Sequence, residues 1–132
     1  MGVFNGVFPI QAGKEDAARA FAAETIGAQR DGFEAHHRRA GTTRETWALQ
    51  ETPMGSFMLV WFEGDPEKTF GDLATDDSEF TSWFCGQVLD VTGVDLRAPA
   101  DAPPTGSTVT RKVLRWPLST RTPPLEASPR SQ

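Results

Sequence analysis

The sequence has no tyrosine, one cysteine and two histidines among its 132 residues. Because Cys85 has no second cysteine to pair with, an intrachain disulfide is excluded. The N-terminus lacks a basic region followed by an apolar stretch, so we expect no secretory signal and a cytoplasmic location. Apolar runs of about 18 residues are absent, which predicts no membrane span. Phosphate loops, zinc-ligand spacings, nucleophile elbows and calcium loops are also absent, so no motif predicts a metal or other cofactor.

The charge is acidic overall and unevenly distributed. The net charge of −5 disfavours nucleic acid as a partner. Residues 1–96 contain 16 acidic and 7 basic residues, whereas residues 97–132 contain 2 acidic and 6 basic ones. The basic tail is either a solvated segment or one that docks on an acidic body, its own or a partner's.

The length predicts one domain, followed by a segment of different composition. We place the domain at residues 1–96 and the tail at residues 97–132, which hold seven of the ten prolines. Within the tail, residues 107–118 alternate in polarity. They predict either a fourth strand or an arm laid across a partner subunit.

The first 41 residues predict a strand followed by a helix. Residues 3–10 are dense in Val, Phe and Ile, as is typical of a strand. Residues 14–39 are rich in helix formers, with a kink or break expected at Gly27 and Gly32. Gly41 predicts the end of the helix.

The next segment predicts a hairpin and a second helical region. Residues 42–51 alternate, and residues 56–63 are almost wholly apolar, which is typical of a central strand covered on both faces. Asp65 and Pro66 predict a helix start, and an interruption at residues 75–77 precedes a second piece that ends at Gly93.

This order predicts an α+β fold, a ferredoxin-like βαββαβ sandwich. Two helices can cover only one face of the sheet, yet the middle strands carry apolar residues on both faces. We therefore expect a homodimer in which the uncovered faces pair into a dimeric α+β barrel. The alternative is a monomer whose C-terminal segment folds over the uncovered face.

A resemblance supports this fold. It covers about residues 3–96 and is carried by the runs VFPIQAGKEDAARAFAAE, RETWALQETPMGSFMLVWFEGDPEKTF and DSEFTSWFCGQVLDVTGVDL. These resemble an uncharacterised group of small bacterial proteins similar to the dimeric α+β barrel superfamily. That superfamily includes the antibiotic-biosynthesis monooxygenases as well as haem-binding enzymes, isomerases and proteins of no known activity.

The resemblance implies two candidate catalytic residues. Some monooxygenases and haem degraders of the superfamily use an Asn on the first strand, a nearby Trp and sometimes a His on the second long helix. Asn5 and Trp61 match the first two in kind. Because residues 66–92 contain no His, a haem-degrading function lacks its ligand.

The two histidines, His36 and His37, are adjacent. Adjacent helical residues point about 100° apart, so the pair cannot clamp one metal. With Arg38 and Arg39 they form a basic helix end that suits the helix dipole. As the alternative, His37 is a candidate general base at a cavity mouth and His36 a candidate ligand contact.

Polar and amphipathic residues on apolar strands predict a binding cavity. Trp47 and Gln50 are candidate ligand-binding residues beside Asn5 and Trp61. Alternatively, both tryptophans are core or interface residues. Glu45, Glu51 and Glu63 are interpreted as solvated strand residues; the alternative, a paired acid and base, would need a pocket and raised pKa values. Cys85 is interpreted as a buried small hydrophobe without a basic neighbour.

Two functional hypotheses follow. In the first, the barrel binds a small apolar or aromatic compound and acts as a cofactor-independent monooxygenase or isomerase. In the second, the protein is a non-enzymatic dimer that binds a ligand or a protein partner, with the basic tail as a contact surface.

Overall fold

The chain alternates strands and helices in the order predicted for the domain. A computed structural model describes residues 2–98, so the predicted strand at 107–118 and most of the tail lie outside the described residues. The elements are β1 (Val3–Ile10), α1 (Glu15–Thr25), α2 (Arg30–Ala40), β2 (Arg44–Thr52), β3 (Gly55–Glu63), α3 (Pro66–Thr75) and α4 (Glu79–Thr92).

The three strands form one antiparallel sheet in the order β1-β3-β2. The apolar strand β3 is central, as predicted. It pairs with β1 in a register that places Gly6 opposite Val60. Thr52 and Gly55 close the β2–β3 hairpin. The α+β class is confirmed, and this sheet is compatible with a ferredoxin-like fold, although it has three strands rather than four within residues 2–98.

The sheet has two different faces. Its inner face, which carries Phe8, Ile10, Met58 and Phe62, is buried together with apolar side chains of the helices. Its open face carries Val3, Asn5, Phe57, Leu59 and Trp61, which alternate with the inner residues. Val3 and Leu59 are 40% and 37% exposed there. Both faces of the central strand β3 therefore carry apolar side chains, as the sequence predicted.

The break between α1 and α2 lies at residues 26–29, where Gly27 was predicted to interrupt the helix. The break predicted at Gly32 is wrong, because Gly32 lies inside α2. A Cβ atom at Gly32 would come within 2.5 Å of the Phe80 side chain. This glycine therefore allows α2 to approach α4 closely. Gly41 ends α2 with a positive φ of 77°, as predicted.

The caps of α3 and α4 agree with the sequence prediction. The Asp65 side chain accepts a hydrogen bond from the Glu67 amide, and Pro66 begins α3. Ser78 caps α4, and Gly93 ends it in the left-handed region. Within residues 2–98, no helix is long and apolar enough to cross a membrane.

Candidate functional site

A cavity of about 60 Å³ lies between the inner face of the sheet and the helices. It is smaller than the ~150 Å³ cavity that accommodates benzene. Most of its wall is formed by aromatic or aliphatic side chains. Among the described residues, the lining side chains with a polar group are His36, Glu45, Trp47, Thr69 and Thr92. An apolar cavity with a few polar groups is the usual form of a small-molecule site.

His36 is a buried histidine, 2% exposed, on the cavity wall. Its Nδ1 lies 2.7 Å from Oδ2 of Asp72. Arg39 holds that carboxylate, because its Nε and Nη2 donate to the two Asp72 oxygens at 2.8 and 3.0 Å. Since an ionised carboxylate only accepts hydrogen bonds, the Nδ1 of neutral His36 carries the proton, and its Nε2 keeps a lone pair.

The electrostatics favour this neutral tautomer. Burial lowers the pKa of His36, and it outweighs Asp72, which works to raise it. Burial works to raise the pKa of Asp72, but hydrogen bonds from Arg39 and His36 outweigh burial and hold that pKa below its usual value. His36 is therefore a neutral base beside an ionised carboxylate.

Glu45 is a second carboxyl group on the cavity wall. Its Oε1 lies 2.8 Å from Nε2 of His37, and its Oε2 accepts a 2.7 Å hydrogen bond from the Trp47 indole. The Glu45 side chain is only 9% exposed, so the interpretation of Glu45 as a solvated strand residue is wrong. Strand alternation directs Glu45 and Trp47 to the same inner face.

The structure divides the six predicted site residues between the two faces of the sheet. His36 and Trp47 line the cavity. His37 does not line it but lies within hydrogen-bond distance of Glu45, which does. Asn5, Trp61 and Gln50 lie on the open face, where Asn5 is directly opposite Trp61 in the β1–β3 register. One cavity therefore does not contain all six within residues 2–98.

Asp72, Arg39 and Glu45 were not selected as site residues from the sequence. Asp72 follows Thr69 by three residues on α3, so the two share a helix face with buried Leu73. An acidic residue on the buried face of an amphipathic helix was the available signal. Its partner lies 36 residues away in the sequence, and only the fold shows that the two meet.

The described residues contain no group of three or more His, Cys, Asp or Glu side chains arranged to hold a metal. Cys85 is buried, as predicted, and its thiol contacts the Leu73 carbonyl oxygen at 3.3 Å. Burial raises the pKa of that thiol and outweighs Arg97, which hydrogen bonds to it. The prediction that no basic residue lies beside Cys85 is therefore wrong, since residue 97 folds back onto α4.

We compared the chain with protein-family models, curated proteins and solved structures. None of them matches it. The resemblance to the dimeric α+β barrel superfamily stays a prediction.

Proposed function

We propose that this protein binds a small, largely apolar molecule in the cavity between sheet and helices, and that His36 removes a proton from it. One observation carries the proposal. A neutral histidine, oriented by an ionised Asp72, contributes to the wall of a largely apolar cavity. A base held by a second residue within hydrogen-bond reach is a recurrent arrangement for general-base catalysis.

Proton abstraction fits the reaction classes that the sequence suggested. An isomerase that acts through an enolate and a cofactor-independent monooxygenase that acts on a carbanion both begin by removing a proton from an activated C–H or O–H group. The imidazolium formed on His36 is stabilised by Asp72 at 2.7 Å. The surrounding Phe33, Phe84 and Trp47 rings exclude water and strengthen that attraction, while the same burial lowers the pKa of His36 and keeps the imidazole neutral before the reaction.

The cavity is too small for a benzene ring in the conformation described. We therefore propose a ligand, or a ligand end group, smaller than six ring carbons. An aromatic substrate would require the surrounding side chains to move. This narrows the class of small apolar or aromatic compounds suggested by the sequence.

The test of proton abstraction uses butan-2-one in deuterium oxide. The wild-type protein is expected to exchange the α-protons of the ketone for deuterium faster than the same concentration of imidazole, as followed by proton NMR. His36→Gln should lose at least tenfold of this rate, because glutamine cannot accept the proton. Arg38→Gln, at the exposed neighbouring position, should retain the rate. Equal rates for the wild type and His36→Gln would contradict the proposal.

The test of binding uses a variant that fills the cavity. Val60→Phe places a larger side chain on the wall, whereas Val3→Phe does so at an exposed site on the open face. Butan-2-one should shift the methyl NMR signals of Met58 and Leu73 in the wild type and in Val3→Phe but not in Val60→Phe. Binding without proton exchange would favour the alternative, a non-enzymatic ligand-binding protein.

We further propose that two copies of the chain pair through their open sheet faces into a dimeric α+β barrel with a ferredoxin-like subunit. Exposed Val3 and Leu59 and half-buried Phe57 support this pairing. Asn5, Trp61 and Gln50 would then lie between the two sheets. Their predicted catalytic and ligand-binding roles are therefore proposed for the space between the sheets. Light scattering on Leu59→Lys, with Leu89→Lys as the control, tests this pairing.

A further inference from the structure

The polar part of the cavity wall has a marked chemical bias towards hydrogen-bond acceptors. Neutral His36 has an Nε2 lone pair, and the Glu45 carboxylate has only acceptor oxygens. The indole N–H of Trp47 already donates to Glu45. The polar side chains His36, Glu45 and Trp47 of the wall therefore offer acceptor atoms rather than an unengaged N–H donor.

The two hydroxyl groups on the wall do little to change this bias. Thr92 donates its hydroxyl to the Val88 carbonyl oxygen at 2.6 Å and accepts from the Val94 amide. The Thr69 hydroxyl lies 3.1 Å from that of Thr42, and either group can be the donor in that pair. Thr69 is thus the one lining hydroxyl able to turn a proton towards a ligand.

The charges near the cavity are also one-sided. Among the described residues that line the cavity, none is Lys or Arg. Arg39, the nearby guanidinium, is engaged by Asp72 and by Asp76, whose Oδ2 lies 3.2 Å from its Nη2. His37 pairs with Glu45 but does not line the cavity. An anion in the cavity would therefore lose its hydration beside the Glu45 carboxylate, and no cationic side chain of the described lining would pair with it.

We propose that Glu45 is the specificity-determining residue of the cavity, and that it favours neutral hydrogen-bond donors such as alcohols and primary amides over molecules that carry only acceptors, and disfavours carboxylates most. This inference rests on the proposed ligand-binding function. It names the substrate class of that same site. The apolar wall holds the body of the ligand, while Glu45 and His36 accept its donor hydrogens.

The test compares three molecules of nearly equal shape, namely propanamide, butan-2-one and propanoate. Propanamide carries donors, butan-2-one carries only an acceptor, and propanoate adds a negative charge. Dissociation constants are measured from methyl NMR shifts of Met58 and Leu73 in slightly alkaline buffer. Propanamide should bind tightest, butan-2-one less tightly, and propanoate at least tenfold more weakly than propanamide.

Glu45→Gln keeps the size of the side chain and removes its charge. It should reduce the preference for propanamide over propanoate to less than threefold. Glu51→Gln is the matched control, since Glu51 lies on the same strand but is exposed and paired with Arg19 at 2.9 Å. That control should leave the preference unchanged. Glu45→Asp, which keeps the charge, should also retain it and serves if Glu45→Gln does not fold.

The outcomes separate the two proposals. If propanamide and propanoate bind the wild type equally, or if Glu45→Gln and Glu45→Asp both preserve the preference, the specificity inference is overturned while the binding function stands. If none of the three molecules shifts the cavity signals, the proposed function itself is overturned.

Discussion

His36 and His37 are adjacent in the sequence but serve two separate carboxylates. His36 is held by Asp72 from α3, and His37 by Glu45 from β2. The angular offset of about 100° between adjacent helical residues produces this divergence. The same offset that argued against a shared metal in the sequence therefore supplies two independent histidine–carboxylate pairs around one cavity.

The buried position of His36 predicts an acid-dependent loss of stability. Because burial lowers the pKa of His36 in the folded chain, the unfolded chain binds its proton at a higher pH, near the ordinary value of about 6.5. The free energy of unfolding should fall as pH decreases from about 7 towards the lower folded pKa. Urea unfolding across this range should show a shallower fall for His36→Gln than for the wild type.

Arg38→Gln is the control for that measurement, since it changes an exposed charge on the same helix. It should retain the wild-type pH dependence. An identical slope in His36→Gln and the wild type would mean that His36 does not titrate differently in the two states.

The close contact between α2 and α4 depends on the absence of a side chain at Gly32. A Cβ there would lie 2.5 to 2.8 Å from three carbons of Phe80, well inside van der Waals contact. Around this contact, Phe33 packs against Phe80 and Phe84 with ring centroids 6.2 Å apart. The position of α2, and with it that of His36, is therefore set by a glycine.

Gly32→Ala should destabilise the protein by about 1–3 kcal/mol, because the added methyl forces α2 away from Phe80. Gly71→Ala is the matched control in the interior of α3, where a Cβ meets nothing within 4 Å. That change should stabilise the fold by about 0.5–1 kcal/mol through the higher helix propensity of alanine. Thermal and urea unfolding of both variants measure the difference, and destabilisation by both would contradict this account.

The elements and their caps were predictable from sequence because they rest on local signals. Strand alternation, Asp65 before Pro66, and glycines at positions 41 and 93 each act within a few residues. The role of Gly32 was not predictable, because Phe80 lies 48 positions away. The same holds for the Asp72 and Glu45 partnerships, which depend on how α2 meets α3 and β2.

At the scale of the whole described domain, residues 2–98, four helices cover one face of a three-stranded sheet. The covered face contains the cavity, and the open face carries exposed apolar side chains. Ligand chemistry and self-association are thus proposed for opposite faces of the same three strands. A change on one face need not disturb the other.

Leu59→Lys should convert the proposed dimer to a monomer, because it places a charge in the middle of the open face of β3. Leu89→Lys is the control on α4, since Leu89 is 46% exposed and Leu59 is 37% exposed. Light scattering coupled to size-exclusion chromatography should give a dimer mass for the wild type and Leu89→Lys, and a monomer mass for Leu59→Lys. A monomeric wild-type protein would overturn the pairing.

The positions of the tryptophans have an optical consequence. Since the chain has no tyrosine, its near-ultraviolet fluorescence comes from tryptophan. Trp47 forms part of the cavity wall, with its indole nitrogen on Glu45, whereas Trp61 lies on the open face. Emission from Trp47 should therefore respond to a bound molecule, and emission from Trp61 to pairing of subunits. Because the chain also contains Trp83 and Trp116, replacing the other three indoles by phenylalanine would leave one intrinsic reporter for each face of the sheet.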